Sequence, residues 1–304
     1  MSGFSMAPVP AVTKLIEAPA AGPAPQRSLL GSALRLRRTQ VGIVLLIPLL
    51  VIVIAGPSLA PHNPDAFIGP AYAPPSAHAL LGTDNLGRDV LSRVLAGGRN
   101  TLIVSLLATL LGVAVGTALG LAAALFGGAG GSIAMRLLDV IIAFPQLVLV
   151  LLFVSLLGSH DWLTICVVAL VWAPQVARVM RGAALSVVEQ DFVRYSRSLG
   201  TSRLQVLWRE VLPNVTGPLS VEFGIRLTYS IALIAGLGFL GFGPPPPTPD
   251  WGTMISENQG ALAIQPWAVL GPVIGIALAT LATNLIAEGF AQANAQGGGY
   301  AAAS

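Results

Sequence analysis

The chain's 304 residues are 54% hydrophobic and only 10% charged, whereas a soluble domain carries about 25% charged residues, so it is not built to face water on all sides. The formal charge of +3 comes from arginines that bracket apolar runs and form no solvated patch, which argues against a nucleic-acid partner. The single cysteine, Cys166, excludes an internal disulfide and a cysteine-based metal cluster, and His62, His78 and His160 show no paired spacing.

In chain order, residues 1–40 are rich in Ala and Pro and read as an N-terminal tail. Arg35, Arg37 and Arg38 then precede an apolar run over about 41–60. That run exceeds the ~7–15 residues of a cleaved signal core and more runs follow it, so it reads as a first transmembrane helix. Further runs cover about 101–126, 137–157, 162–180, 217–242 and 267–289. Each approaches or exceeds the about 20 residues that cross a bilayer as helix. Lipid offers the backbone no partners, so spanning segments are helices or closed barrels, and these runs do not alternate as barrel strands do. The expected fold is an all-α integral membrane protein with six transmembrane helices, the permease domain occupying 41–290. Gly112, Gly116 and Gly120 recur every four residues, a stripe that lets two helices approach closely. Residues 291–304 are low in complexity and read as a flexible C-terminal tail.

With the N-terminus inside, thirteen of the sixteen basic residues fall on the cytoplasmic side and only Arg88, Arg93 and Arg99 outside. The positive-inside rule therefore puts both termini in the cytoplasm, in agreement with an even number of helices.

Three groups of polar residues stand out. The first is the loop over 182–214. Ser186 and Glu189 have capping-box spacing, as do Ser202 and Gln205, so the loop reads as two helices. Val188, Phe192, Tyr195 and Leu199 fall on one face of the first; Leu204, Leu207 and Val211 fall on one face of the second. Gly200 suits a left-handed helix end, and Pro213 suits a stop. The second group is Arg136 with Asp139 and Glu222 with Arg226, at helical spacing near the inner ends of their spans. Ionisable groups in a membrane are paired or face a cavity, so these four either line an inner mouth or pair structurally at the interface. The third group is outside. Asp250, Trp251 and Glu257 belong either to a docking surface or to a plain solvated loop. Asp84 with Arg88 and Asp89 with Arg93 suit ion pairs on a short amphipathic helix before the second span. Gly236, Gly238, Gly241 and Gly243 suit close packing or a hinge.

Several of these stretches carry a family resemblance. Arg194-Tyr-Ser-Arg-Ser-Leu-Gly200 followed by Glu210-Val-Leu-Pro213 resembles the EAA loop of ABC importer permeases, with Tyr195 and Ser196 where small alanines are usual. Leu81-Gly-Thr-Asp-Asn-Leu-Gly-Arg-Asp-Val-Leu-Ser-Arg93 and Pro245-Pro-Pro-Thr-Pro-Asp-Trp-Gly-Thr-Met-Ile-Ser-Glu257 resemble segments of the C-type subunit of dipeptide and oligopeptide permeases. Met135-Arg-Leu-Leu-Asp139 with Ala143-Phe-Pro145 is similar to that family's third span. Ile234 stands where the family often has Glu.

The resemblance implies a type I importer fold with a cytoplasmic coupling helix, in a bacterial plasma membrane. It implies that Glu189, Asp191, Arg194, Arg197, Leu199, Gly200, Leu212 and Pro213 belong to the loop that docks on an ATPase. The implied partners are a second homologous permease subunit, two ATPase subunits (or one fused) carrying ATP and Mg2+, and an extracytoplasmic substrate-binding protein. The implied cargo is a di- or oligopeptide, with haem, glutathione or nickel as alternatives. No catalytic residue and no cofactor is expected in this chain. Its only lysine, Lys14, has no glycine loop before it, so no P-loop is present. A proton-coupled secondary transporter would carry acidic groups near mid-membrane, and these span centres are nearly free of charge. A membrane enzyme would need clustered catalytic side chains, which a lone Cys and scattered His do not supply.

Overall fold

The computed structural model describes residues 29–301; the stretch 1–28, with Lys14 and Arg27, and residues 302–304 lie outside the described residues. Short α1 (Leu29–Leu34) leads into α2 (Arg37–Leu59), α3 (Val90–Phe126), α4 (Gly128–Ile142), α5 (Gln146–Leu157) and α6 (Asp161–Val188). Then come α7 (Asp191–Ser198), α8 (Arg203–Val206), a π-turn over Leu207–Val211, α9 (Leu212–Asn214) and α10 (Thr216–Leu237). Helix α11 (Trp251–Asn258) and the long α12 (Trp267–Ala301) complete the described chain. Among the described residues, five helices are long and apolar enough to cross a membrane, six if the bent pair α4 and α5 counts as one span.

The tightest seam joins α3 to α6. Gly112, Gly116 and Gly120 lie against Ala169, Ala173 and Ala177, a small residue facing a small residue at each turn. A Cβ on Gly116 would come 2.5 Å from the Ala173 carbonyl oxygen, so the backbones touch only because both stripes lack bulk. Around this seam the buried side chains form three clusters. One lies between α3 and α6 and extends into the 193–215 segment, one joins α3, α5, α6 and α10, and one joins α2, α10, α11 and α12.

The structure redraws several expected boundaries. Helix α3 begins at Val90, eleven residues before the apolar run at 101, because Asp89 caps it by accepting from the Ser92 N–H at 3.0 Å. Its first turns hold Arg93, whose charge is matched by ion pairs that hydropathy does not register. The third span is not one helix over 137–157: α4 and α5 are bent by 82° at Ala143-Phe144-Pro145. Pro145 has no N–H to give and disfavours helical backbone at Phe144. Helix α6 continues past 180 to Val188, so Ser186 is a helical residue donating to the Ala183 carbonyl rather than a cap. Residues 29–34 and 37–40 of the expected N-terminal tail are helical, and α12 carries the backbone through 291–301, where a flexible tail was expected.

The chain alternates between two ends of the bundle. The 189–215 segment lies at one end with the start of α2 and the later part of α12, where Arg38 pairs with Glu288 at 2.9 Å. Residues 60–89 and 243–266 meet at the other, where Gln265 donates to the carbonyls of Ala73 and Leu81 at 3.1 and 2.8 Å.

Candidate functional site

At the first end, α7 and α8 form a helix-turn-helix projecting between α6 and α10. Gly200, at φ +83°, closes α7: its N–H donates to the Arg197 carbonyl at 3.0 Å and the Thr201 N–H to that of Ser196 at 3.3 Å. These paired bonds form a Schellman end, which a residue with a Cβ adopts only under strain. Ser202 and Gln205 form the reciprocal capping box that starts α8. Pro213 does not stop the path. It sits in the first turn of α9, where a missing N–H costs nothing, and the preceding π-turn absorbs the misfit, so helix runs nearly unbroken into α10.

Of the expected apolar faces only part turns inward: Val211 is buried and Val188 and Leu207 pack against the core, whereas Phe192, Tyr195, Leu199 and Leu204 are exposed. Val193, Val206 and Val211 are buried and pack with Met180, Val187, Leu121 and Leu125 of the spans. Tyr195, Leu199, Leu204 and Trp208 are 61–67% exposed, and Phe192 is also exposed. Glu189, Asp191, Arg194, Arg197, Arg203 and Arg209 surround them in the exposed class. One short β-branched face therefore holds the unit to the bundle, and a larger aromatic and leucine face with a basic rim is left open. Leu212 is half-buried and Pro213 exposed beside it.

Deeper in the bundle, Arg226 donates from Nε to Glu222 at 2.6 Å and from Nη1 to Gln175 of α6. Its guanidinium lies 5.2 Å from the centroid of Trp172, and Tyr229, half exposed, stacks on the same indole at 6.1 Å. This largely buried cation is thus held by a carboxylate, an amide and an aromatic face, partners that offset the loss of solvent. Arg136 and Asp139 do not join it. Asp139 pairs instead with Arg178 of α6 at 2.5 Å, both side chains half exposed, and Arg136 points to the surface. Gln175 and Arg178 stand three residues apart on α6, so this helix ties α10 through one and α4 through the other.

The opposite end is built from buried ion pairs. Asp84 accepts the N–H groups of Leu86 and Arg88 at 2.9 Å each, and Arg88 Nε at 2.7 Å. This turn, with Gly82 and Gly87 at positive φ, keeps 81–89 out of helix, contrary to the expected amphipathic helix. The Asp84–Arg88 pair forms as expected, but Asp89 lies 3.6 Å from His62 Nδ1 and caps α3 through the Ser92 N–H, while Arg93 reaches Asp84 and Glu257 instead.

Asp250 and Trp251 are interior, 1% and 0% exposed, so neither offers a docking surface. Asp250 caps α11 through the Gly252 and Thr253 N–H groups and accepts from Thr101 at 2.7 Å. Burial pushes its carboxyl up, opposed by those hydrogen bonds. Trp251 fills the space between Gly98 and Gly275 and donates from Nε1 to the Val94 carbonyl at 2.9 Å. A docking loop and a core plug look alike in sequence, because both begin with a polar residue and a tryptophan after prolines. Glu257 alone of the three reaches solvent, its side chain 30% exposed. In the glycine cluster Gly238 packs closely on Asp250 and Thr253, and Gly241 takes φ +86° at the turn out of α10.

Residues 116–297 match the model of a family described as the binding-protein-dependent transport system inner membrane component. The chain belongs to this family. The permease is 34% identical to the di/tripeptide transport system permease protein DppC of Pseudomonas aeruginosa over 259 residues, 83% of this chain and 86% of that one. It is 38% identical to the glutathione transport system permease protein GsiD of Shigella dysenteriae over 219 residues, 72% of each chain. GsiD of Escherichia coli O1:K1 is 37% identical over the same length. The helix-turn-helix, the Glu222–Arg226 pair and α11 all fall inside the family match, whereas Asp84, Arg88 and Arg93 precede it.

Sequence reading missed Trp172, Gln175, Arg178 and Tyr229, which complete the inner pairs. The available signal was their spacing: Trp172, Gln175 and Arg178 recur every three residues along α6, a polar stripe within an otherwise apolar helix.

Proposed function

We propose that the permease forms half of the translocation pathway of an ATP-driven bacterial importer for di- or oligopeptides. The observation that carries this reading is the helix-turn-helix. It joins two spans, is anchored to the bundle by buried valines, and turns an exposed aromatic and basic face away from it. An isolated protein gains nothing from such a face, but a partner that must push on α6 and α10 needs a stiff handle of this kind. The chain has no P-loop, so its energy comes from outside. Two partner ATPase subunits (or one fused) hold ATP and Mg2+ and press on α7, the coupling helix. A second homologous permease subunit completes the pathway, and an extracytoplasmic substrate-binding protein delivers cargo. The permease itself is non-catalytic.

The basic residues support an orientation with both termini and the coupling helix in the cytoplasm of a plasma-membrane protein. In this orientation the Glu222–Arg226–Gln175 group faces the inner part of the pathway, and Arg136, Asp139 and Arg178 lie at its cytoplasmic edge. Closure of the ATPases shifts a two-state equilibrium of the bundle from inward-open to outward-open, biased by the differential contacts at the coupling helix. The relatives named for di/tripeptide transport support a peptide cargo. The relatives named for glutathione transport favour glutathione, itself a tripeptide, as the second reading.

The test is ATP hydrolysis by the reconstituted complex, comparing the parent with Gly200→Trp. A Cβ at φ +83° strains the end of α7 but meets no neighbour within 4 Å, and Gly200 lies outside the buried clusters of the bundle, so the variant is expected to assemble. Peptide plus binding protein should stimulate hydrolysis in the parent and not in the variant. Normal stimulation in an assembled variant would place the lever elsewhere. Stimulation by glutathione alone would move the cargo and leave the importer.

A further inference from the structure

The end of the molecule opposite the coupling helix contains a cavity of about 200 Å³, lined by Arg88, Arg93, Thr253, Ser256, Glu257 and the 243–248 loop. Neither the expected docking role of Glu257 nor the coupling mechanism uses it. Its hydrogen-bonding is unbalanced. Asp84 is largely committed: one oxygen takes the N–H groups of Leu86 and Arg88, the other takes Arg88 Nε. Arg88 Nη2 is shared between Asn85 at 3.2 Å and Glu257 at 3.0 Å. Arg93 is 1% exposed, yet only its Nη2 makes a hydrogen bond, to the same Glu257 oxygen at 3.3 Å. Its Nη1 has no partner, and its Nε lies 3.3 Å from Asp84 without donating to it. The two buried guanidinium groups face two acids, Asp84 and Glu257, share one oxygen of the movable one, and leave Arg93 Nη1 over. A buried donor without a partner calls for an acceptor, and Nη1 with Nη2 of Arg93 forms an edge that two coplanar oxygens fit.

We propose that this cavity is a binding site for a carboxylate, and that on the importer reading its ligand is the C-terminal carboxylate of the peptide cargo. Arg93 and Arg88 present forks that match a carboxylate bidentately. Glu257 is the placeholder: its side chain is 30% exposed, whereas Asp84 is fully buried and locked, so the incoming carboxylate displaces Glu257 from both Nη2 groups and adds Arg93 Nη1. The charge count is unchanged in the pocket, because one carboxylate replaces another. The cavity is smaller than the roughly 300–1,000 Å³ that enclose a drug-sized ligand, so it takes a terminal residue and leaves the rest of the peptide outside. That size favours a small flexible cargo over the side of a folded protein.

The experiment titrates trialanine, trialanine amide and propionate into the permease assembled with its partner subunits in nanodiscs, without the binding protein, by calorimetry. Trialanine and propionate should bind, and the amide should bind at least about tenfold more weakly, because it lacks the second anionic oxygen. Arg93→Lys should weaken trialanine binding about tenfold or more, since lysine keeps the charge and loses the fork. Glu257→Gln should tighten it, because the competing carboxylate is gone. Effects of opposite sign from two residues in one ion-pair network distinguish a ligand site from a structural staple, which either change would only weaken. Equal binding of acid and amide, or weakening by Glu257→Gln, overturns the proposal. So does absence of binding by both acids with the arginines shielded from phenylglyoxal only when the binding protein is added, for the carboxylate then belongs to that protein. If Arg93→Lys does not assemble, Arg88→Lys and the acid–amide comparison in the parent still decide. Uptake of labelled trialanine by parallel proteoliposomes with all partners tests the importer reading separately. Intact ATP-driven uptake with no acid–amide discrimination at the permease sinks the carboxylate site alone.

Discussion

The two ends of the bundle treat the same residue types in opposite ways. At the coupling end, aromatic and charged side chains are exposed: Tyr195 and Trp208 stand more than half in solvent, and Arg194 and Arg197 form no ion pair among the described residues. At the opposite end, Trp251 is fully enclosed and Arg88, Arg93, Asp84 and Asp250 are buried with partners. A tryptophan in a core contributes to folding, and one on a projecting helix contributes only when something covers it. The coupling end is thus incomplete by itself, while the other end is a folded cap that holds 60–89 and α11 over the ends of α3, α10 and α12.

This contrast can be broken most severely at the cap. Trp251→Ala should cost about 3–5 kcal/mol, as loss of a fully buried tryptophan does, and lower the unfolding temperature of the detergent-solubilised permease. A loss under 1 kcal/mol would mean that the cap is not part of the core. Next in size, Ser202→Ala removes one half of the capping box and should cost about 1 kcal/mol, read as faster amide exchange confined to 202–206. Exchange rising across the whole bundle would show that the lever and spans unfold together. Asp139→Ala breaks a half-exposed pair with Arg178 and should shift stability by no more than about 1 kcal/mol in a thermal melt. The smallest change in stability, within about 0.5 kcal/mol, is expected for Trp208→Ala, since the side chain is 61% exposed. Its effect on cargo-stimulated ATP hydrolysis should nevertheless be large. A variant that melts early and couples normally would reverse the comparison.

How much of this was legible depended on whether the signal was local. Gly200 and the Ser202–Gln205 box were readable because a left-handed helix end and a reciprocal cap involve only neighbours in the chain. The Glu222–Arg226 pair was readable for the same reason, being four residues apart on one helix. The direction of the coupling face was not. Val193 and Val206 are weaker helical signals than Phe192, Tyr195, Leu199 and Leu204, and periodicity assigns the larger residues inward. Burial followed the short side chains because Leu121, Leu125 and Met180 already fill the space above them. Likewise Asp89 and Arg93 had pairing distance along a helix, but Asp84 and Glu257 outcompeted Asp89 for the arginine from other elements.

The sequence by itself determined the number and order of apolar runs, the small-residue stripe of α3, the Gly200 helix end, the Ser202–Gln205 cap and the imbalance of arginines between the two sides. Each rests on composition or on contacts within about a turn of the chain. Only the tertiary structure decided the break before Pro145, the residues that α6 offers to Asp139 and Arg226, the enclosure of Asp250 and Trp251, and the face that the coupling helix leaves open. Those depend on which distant side chain arrives at a given place, and a buried charge or an exposed tryptophan acquires its meaning from that neighbour.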